Sequence, residues 1–281
     1  VTTAGPGRPR LTKQRRPGGT AQAEILDAAA ELFTTRGFSS TSTRQIAEVV
    51  GMRQASLYHH FATKDDLLVA LLEKTVSAPL RLASRLAERD EPAAVRLYAL
   101  ILFDAGQLMS GRWNLGALYL LPELRTERFA QFRRERQMLR RHYGALAAAV
   151  LGQQDSADTA RAGLPFRIVE SVINERSDTE GRDTEGRDTE RRDTEGGDTE
   201  GRDTEGRDTE RRDTEGGDTE GGDMAGDDVK GVDIGGGDQP GTGTDSPQLL
   251  ADAGLRVLGW TDVESLRTPA GALLAEFAAE A

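Results

Sequence analysis

Side chains that could carry chemistry are scarce in this 281-residue chain. There is no cysteine, which removes disulfides, thiolate nucleophiles and thiolate zinc sites. The three histidines are His59, His60 and His142. The first two are adjacent, so on a helix they diverge and cannot hold one metal ion together. Carboxylates abound between residues 177 and 246, but without an ordered frame they cannot be held for acid–base work. The glycines from Gly237 to Gly243 follow no strand, so they make no phosphate-cradling loop. No catalytic constellation, metal site or cofactor site is read, and the chain is not expected to be an enzyme.

A different chemistry is concentrated in one short stretch, TSTRQIAEVVGMRQASLYHHFATK, residues 41–64. The Gln54 amide could pair bidentately with adenine, and the Ala55 methyl could meet a thymine methyl. Ser56 lies beside them. Thr43, Arg44, Arg53, Tyr58 and His59 offer donors to phosphate, His60 reaches base edges or backbone, and Lys64 offers a point charge. Arg44 has a second option, a guanine edge.

Helices must position these groups. Ser42 with Gln45 three residues on forms a capping box, and Ile46, Ala47 and Val50 share one face of the helix it opens. Gly51 stands where a left-handed C-terminal residue is wanted. A second short helix starts near Gln54 with Leu57 inward. Thr63 then caps a further helix whose first turn carries Asp65 and Asp66, matching its dipole. Two short helices about a glycine turn make a helix-turn-helix, whose second helix enters the DNA major groove.

The stretch resembles the DNA-binding domain of the TetR family of bacterial transcription regulators. The resemblance covers about residues 20–72 and rests on Ile46, Ala47, Gly51, Leu57, Tyr58, Phe61, Lys64 and the Asp66-Leu67-Leu68 entry to the next helix. It implies an all-α homodimer: a three-helix DNA-binding head before an all-helical body that binds a ligand and dimerises.

Charge agrees with that division. The chain carries −11 overall, yet residues 177–246 hold 24 acidic against 9 basic groups, leaving +4 elsewhere. Residues 1–64 hold 9 basic against 4 acidic groups, so the positive field lies where phosphate is expected. Residues 1–19 lack apolar periodicity and are expected to be a disordered basic arm. Gly7-Arg8-Pro9-Arg10 resembles the core of an AT-hook, although Pro6 replaces its leading arginine. A minor-groove arm and a merely solvated tail both remain open. The arm has no apolar stretch for a secretory signal, and Val1 is expected to reflect an alternative start codon. No apolar run approaches 18 residues, so no membrane span is expected and the protein is placed in the cytoplasm.

Thr20 should cap the first helix, with Ile25, Leu26, Ala29, Leu32 and Phe33 on its core face, Gly37 ending it and Phe38 packed beneath the helix-turn-helix. The fourth helix should run from Lys64 to about Ser77, with Pro79 kinking or interrupting it. Residues 92–149 read as helical throughout. A helix after Pro122 buries Phe129, Phe132, Met138, Leu139, Tyr143, Leu146 and Val150 and presents Arg133, Arg134, Arg136, Arg140 and Arg141 as a solvated face. Phe103, Met109, Trp113, Leu115, Tyr119, Phe129, Phe132 and Phe166 could line a cavity for a small apolar ligand, or form ordinary core. Two later helices, 164–175 and 247–259, carry Ile168, Val169, Val172, Ile173, Leu250, Ala253 and Val257. By the family resemblance this pair forms the dimer interface. A last helix runs from Pro269.

Between those two helices, residues 181–200 recur letter for letter at 201–220 in a five-residue unit, D-T-E-G-R with variants. The unit has no apolar residue to build a solenoid core and no calcium-binding spacing, so 177–246 reads as a disordered acidic insertion into the 73–281 body. It is either an inert loop or an intramolecular mimic of DNA facing the basic head. The family resemblance implies a ligand-responsive repressor that binds a palindromic double-stranded operator as a homodimer and answers to a small apolar ligand. An activator or ligand-independent regulator of the same fold, and an interaction module acting through the acidic insertion, are the alternatives.

Overall fold

The computed structural model describes residues 16–17, 19–152, 156–174, 176 and 246–280. Expectations for residues 1–15 and for the repeat lie outside the described residues. Helices α1 (Ala21–Thr35), α2 (Thr43–Val50) and α3 (Gln54–Tyr58) form the head with the first turns of α4 (Lys64–Ala87). Ile25, Phe33, Ile46, Leu57, Leu67 and Leu68 fill its core at 0–2% exposure. Three of the four starts are capped by a side chain, the exception being α3 at Arg53: the Thr20 hydroxyl accepts from Ala23 N at α1, and full capping boxes open α2 (Ser42, Gln45) and α4 (Thr63, Asp66). Gly51 closes α2 at φ 75°, a left-handed conformation that glycine adopts without a Cβ clash. Phe38 stacks edge-on to Phe33, with ring centres 5.0 Å apart.

Helix α4 does not stop at Pro79; it continues to Ala87. Proline has no N–H for the carbonyl four residues back, here that of Thr75. The Gln107 side-chain amide supplies donors instead, at 3.1 Å to Thr75 O and 3.0 Å to Lys74 O. A contact from another helix thus overrides the local signal.

In the body, α5 (Ala93–Ser110) is central, packed by α4, α6 (Ala130–Leu151), α9 (Pro247–Arg256) and α10 (Arg267–Ala279). By length and apolarity α5 would suit a membrane span, contrary to the expectation that no such run exists. Here it is a core helix: Leu97, Tyr98, Ala99, Leu100 and Ile101 are wholly buried. Tyr98 donates to Asp252 Oδ1 at 2.9 Å, and Arg267 donates to Asp252 Oδ2 at 2.9 Å, tying α5, α9 and α10 together. Helix α7 (Ser156–Ala162) and helix α8, residues 164–174, complete the described set.

Helicity is not continuous from 92 to 149. Residues 111–129 form a strap of three short 3₁₀ turns, Leu115–Leu120, Pro122–Arg125 and Glu127–Phe129. Its course is set by α8: Asn114 donates to Ile173 O at 2.7 Å, and a Cβ on Gly116 would lie 2.5 Å from Ile173 Cγ1. The long helix then begins at Ala130, with Met138 41% exposed rather than inward. Nor is its arginine row merely solvated. Arg133 donates to the carbonyls of Leu124 and Thr126, while Arg136 pairs with Glu170 and lies over the rings of Tyr119 (4.9 Å) and Phe166 (5.7 Å).

Candidate nucleic-acid interface

Helix α3 buries Leu57 completely and turns the rest of its short length outward. Arg53, Ala55, Ser56, Tyr58, His59 and His60 are exposed, and Gln54 is half-buried. The capped start of α2 stands beside it, so Thr43, Gln54 and Tyr58 meet. Gln54 Nε2 donates to Thr43 Oγ1 at 2.9 Å and to Tyr58 OH at 3.2 Å, and the two hydroxyls are 3.1 Å apart. Tyr58 is 47% exposed, which makes it a surface hydroxyl on an aromatic stem and not a core ring. Arg44 is also exposed, paired with Glu48 at 2.9 Å along the same helix. Such an exposed pair is worth little and releases the guanidinium readily.

Lys64 departs from its expected role as a free point charge. Its ammonium donates to Phe38 O at 2.8 Å and Thr41 O at 2.9 Å, and stands 4.2 Å from the centre of the Phe38 ring. It is a strut that locks the α1–α2 loop to the start of α4. The N-terminal arm also departs from expectation at its inner end. Arg16 is held on α1 by Asp27 at 2.6 Å and by Glu31.

The aromatic residues expected to line one ligand cavity are dispersed. Phe103 stacks on Phe277 of α10, with ring centres 5.5 Å apart. Trp113 donates to Asp27 of the head at 3.0 Å. Tyr119 and Phe132 pack together, as do Phe166 and Tyr143; Phe129 is 1% exposed, and Met109 lies half-buried near the end of α5. A cavity of about 300 Å³ opens elsewhere, between the end of α4 and α10, and none of these residues lines it. Of the residues assigned to the dimer interface, Val169, Val172 and Ile173 are buried inside the protomer, which leaves Ile168, Leu250, Ala253 and Val257 part-exposed, with Leu249 at 41% beside them.

Two buried polar groups carry no sequence signature. Asp104 on α5 is buried among apolar neighbours, accepts from Tyr143 OH at 2.9 Å, and has its pKa raised to about 7, mainly by loss of water. The Tyr119 hydroxyl donates to Thr75 Oγ1 of α4 at 2.7 Å, and Thr75 passes its own proton to Leu72 O. Asp104 and Thr75 stand at helical spacing among apolar residues, so only the tertiary packing reveals them.

These features define an all-helical regulator with an N-terminal helix-turn-helix. The profile of the bacterial regulatory proteins of the tetR family matches residues 25–71. The crystal structure of Mycobacterium smegmatis AmtR is 45% identical, covers 94% of this chain and 98% of its own, and superposes with a TM-score of 0.66. The transcriptional repressor KstR2 of Mycobacterium tuberculosis is 45% identical over 49 residues, 17% of this chain and only 24% of that repressor. The fatty acid metabolism regulator protein of Bacillus subtilis is 24% identical over 163 residues, 57% of this chain and 80% of that protein. The chain belongs to the tetR family and is a transcriptional regulator, not an enzyme.

Proposed function

We propose that the protein is a cytoplasmic repressor that binds a palindromic operator as a homodimer and releases it when a small apolar ligand enters the body. The observation that carries this reading is the outward face of α3, where Arg53, Gln54, Ala55, Ser56, Tyr58, His59 and His60 surround a single buried anchor, Leu57. Gln54 and Ala55 read base edges; Thr43, Arg44 and Tyr58 hold phosphate. The part-exposed apolar residues of α8 and α9, Ile168, Leu249, Leu250, Ala253 and Val257, supply the surface on which two copies meet. Twofold symmetry then sets the two α3 helices one helical turn of DNA apart, about 34 Å.

Selection from a random-sequence duplex library tests the reading. An enriched palindrome supports it, whereas weak, sequence-blind binding with a steep salt dependence removes it. Gln54→Ala sharpens the assignment: it should relax preference at one base pair in each half-site, by about 1–3 kcal/mol of discrimination, without changing stability. A site whose occupancy no apolar small molecule alters would leave a ligand-independent regulator.

A further inference from the structure

Asp27, in the middle of α1, is served by two distant parts of the chain. Its Oδ2 accepts from Arg16 Nη1 at 2.6 Å and from Arg112 Nη1 at 3.3 Å, and its Oδ1 accepts from Trp113 Nε1 at 3.0 Å. The side chains of Asp27 and Arg16 are 14% and 12% exposed, so their pairing is sheltered from water, whereas Arg112 is exposed. Arg16 reaches one turn further along α1 to Glu31. Arg112 lies over the Trp113 ring at 4.7 Å, so the two body residues act as one clamp.

Each side of this junction leads somewhere. On the body side, Trp113 follows the end of α5, whose carbonyls at Leu108, Met109 and Gly111 accept from Arg176 at 2.5, 3.2 and 2.6 Å. The next residue, Asn114, is pinned to α8 through Ile173 O. A shift of α5 or α8 therefore moves Trp113. On the head side, the residues preceding Arg16 are Arg8, Arg10, Lys13 and Arg15, with no acidic residue among positions 1–15.

We propose that Asp27 is a positioning residue for DNA binding: its carboxylate fixes the root of the basic arm through Arg16 and is itself held by the body through Trp113 and Arg112, so that the state of the body sets where the arm leaves the head. This rests on the proposed operator binding and adds to it a second output of the body, besides the spacing of the two heads. A carboxylate that served only to staple head to body would need no contact with the arm.

The test is a double-mutant cycle in the full-length protein. Trp113→Phe keeps the ring and removes the N–H donor; Asp27→Asn removes the charge. Each is combined with an arm carrying Arg8→Gln, Arg10→Gln, Lys13→Gln and Arg15→Gln, and affinity for the selected duplex is measured across salt concentrations. In the native arm, Trp113→Phe should weaken binding about five- to tenfold and lower the salt slope by about one, the loss of roughly one phosphate contact. In the neutral arm it should change affinity less than about twofold, because the coupled contact is already gone. Equal losses in both arms, or none in either, overturn the proposal.

Hydrogen exchange without DNA reads the junction separately. Trp113→Phe should speed exchange over residues 19–24 about threefold or more while Ala130–Leu151 stays unchanged. Unchanged exchange at 19–24 overturns the junction alone and leaves operator binding intact. Failure of the native protein to bind any duplex removes operator binding, and the arm's positioning with it.

Discussion

The Tyr58 cluster on the head and the Tyr143 pair in the body each join a tyrosine hydroxyl to polar neighbours, and they behave as opposites. On the head, Tyr58, Thr43 and Gln54 share bonds of 2.9–3.2 Å at a wet surface. Water can replace any of them, so each bond contributes little to folding and the groups are free to turn towards DNA. In the body, Tyr143 is wholly buried and its bond to Asp104 has no water to fall back on. There the same phenol hydroxyl, donating to a carboxylate, locks a fold. Burial, not residue type, separates a recognition surface from a structural bolt.

Protonation gives the largest way to break the contrast. The Asp104 carboxyl is raised from 3.8 to about 7, mainly by burial, with Glu170 adding to the rise and Tyr143 and Arg136 opposing it. Between those values the folded state binds the proton and the unfolded state does not, so unfolding releases it. Stability from this group is complete below about pH 4 and is lost as pH rises through 7. The loss from pH 5 to pH 8 should be about 3 kcal/mol, from roughly 1.4 kcal/mol per unit. Asp104→Asn should remove that slope, as urea unfolding of the two proteins across this range will read. Equal slopes would mean that Asp104 is ionised in the folded body.

Removing the buried hydroxyl comes next. Tyr143→Phe leaves Asp104 without its donor in a dry site and should cost about 1–3 kcal/mol of stability, with DNA binding unchanged at temperatures where the protein remains folded. Denaturant midpoints and operator affinity, measured side by side, check both halves.

The two regions were also unequally legible in the sequence. The head was readable because its punctuation is local: Ser42 with Gln45, Thr63 with Asp66, and Gly51 each act within a few residues. The misreadings at Pro79 and in the strap come from partners far along the chain. Pro79 signals a break unless one knows that Gln107 serves the carbonyl of Thr75, 32 residues away. The strap at 111–129 is apolar enough to pass for helix, and only its packing on Ile173 sets it apart. Nothing in the sequence around Asp27 marks its junction, because Arg16 and Trp113 lie 11 and 86 residues away. Phe129, Phe132 and Phe166 are buried and Phe103, Trp113 and Tyr119 half-buried, yet their grouping into separate contacts has no sequence counterpart.

Lys64 tests the boundary between the two kinds of site. From sequence alone, Lys64→Ala should weaken binding to every DNA alike. Its bonds to the carbonyls of Phe38 and Thr41 predict otherwise. Losing a charged donor from two part-buried acceptors, and the ring contact with Phe38, should cost about 1–2 kcal/mol of stability. The α1–α2 loop would loosen, and faster hydrogen exchange around Phe38 to Thr41 would show it. An unchanged denaturation midpoint would return Lys64 to the set of free phosphate ligands.

Tyr58→Phe gives the smallest effect and the sharpest comparison with Tyr143→Phe, since the same atom is deleted in both. On the head the lost hydroxyl exposes no dry acceptor: Thr43 and Gln54 still bond to each other at 2.9 Å and to water. Stability should therefore move by less than about 0.5 kcal/mol. What should change is operator affinity, by a few-fold, roughly 1 kcal/mol for one phosphate hydrogen bond, and about equally for every sequence, because that bond carries no base information. A stability loss matching that of Tyr143→Phe would mean that the head cluster is held as tightly as the buried one, and its freedom to turn towards DNA would have to be given up.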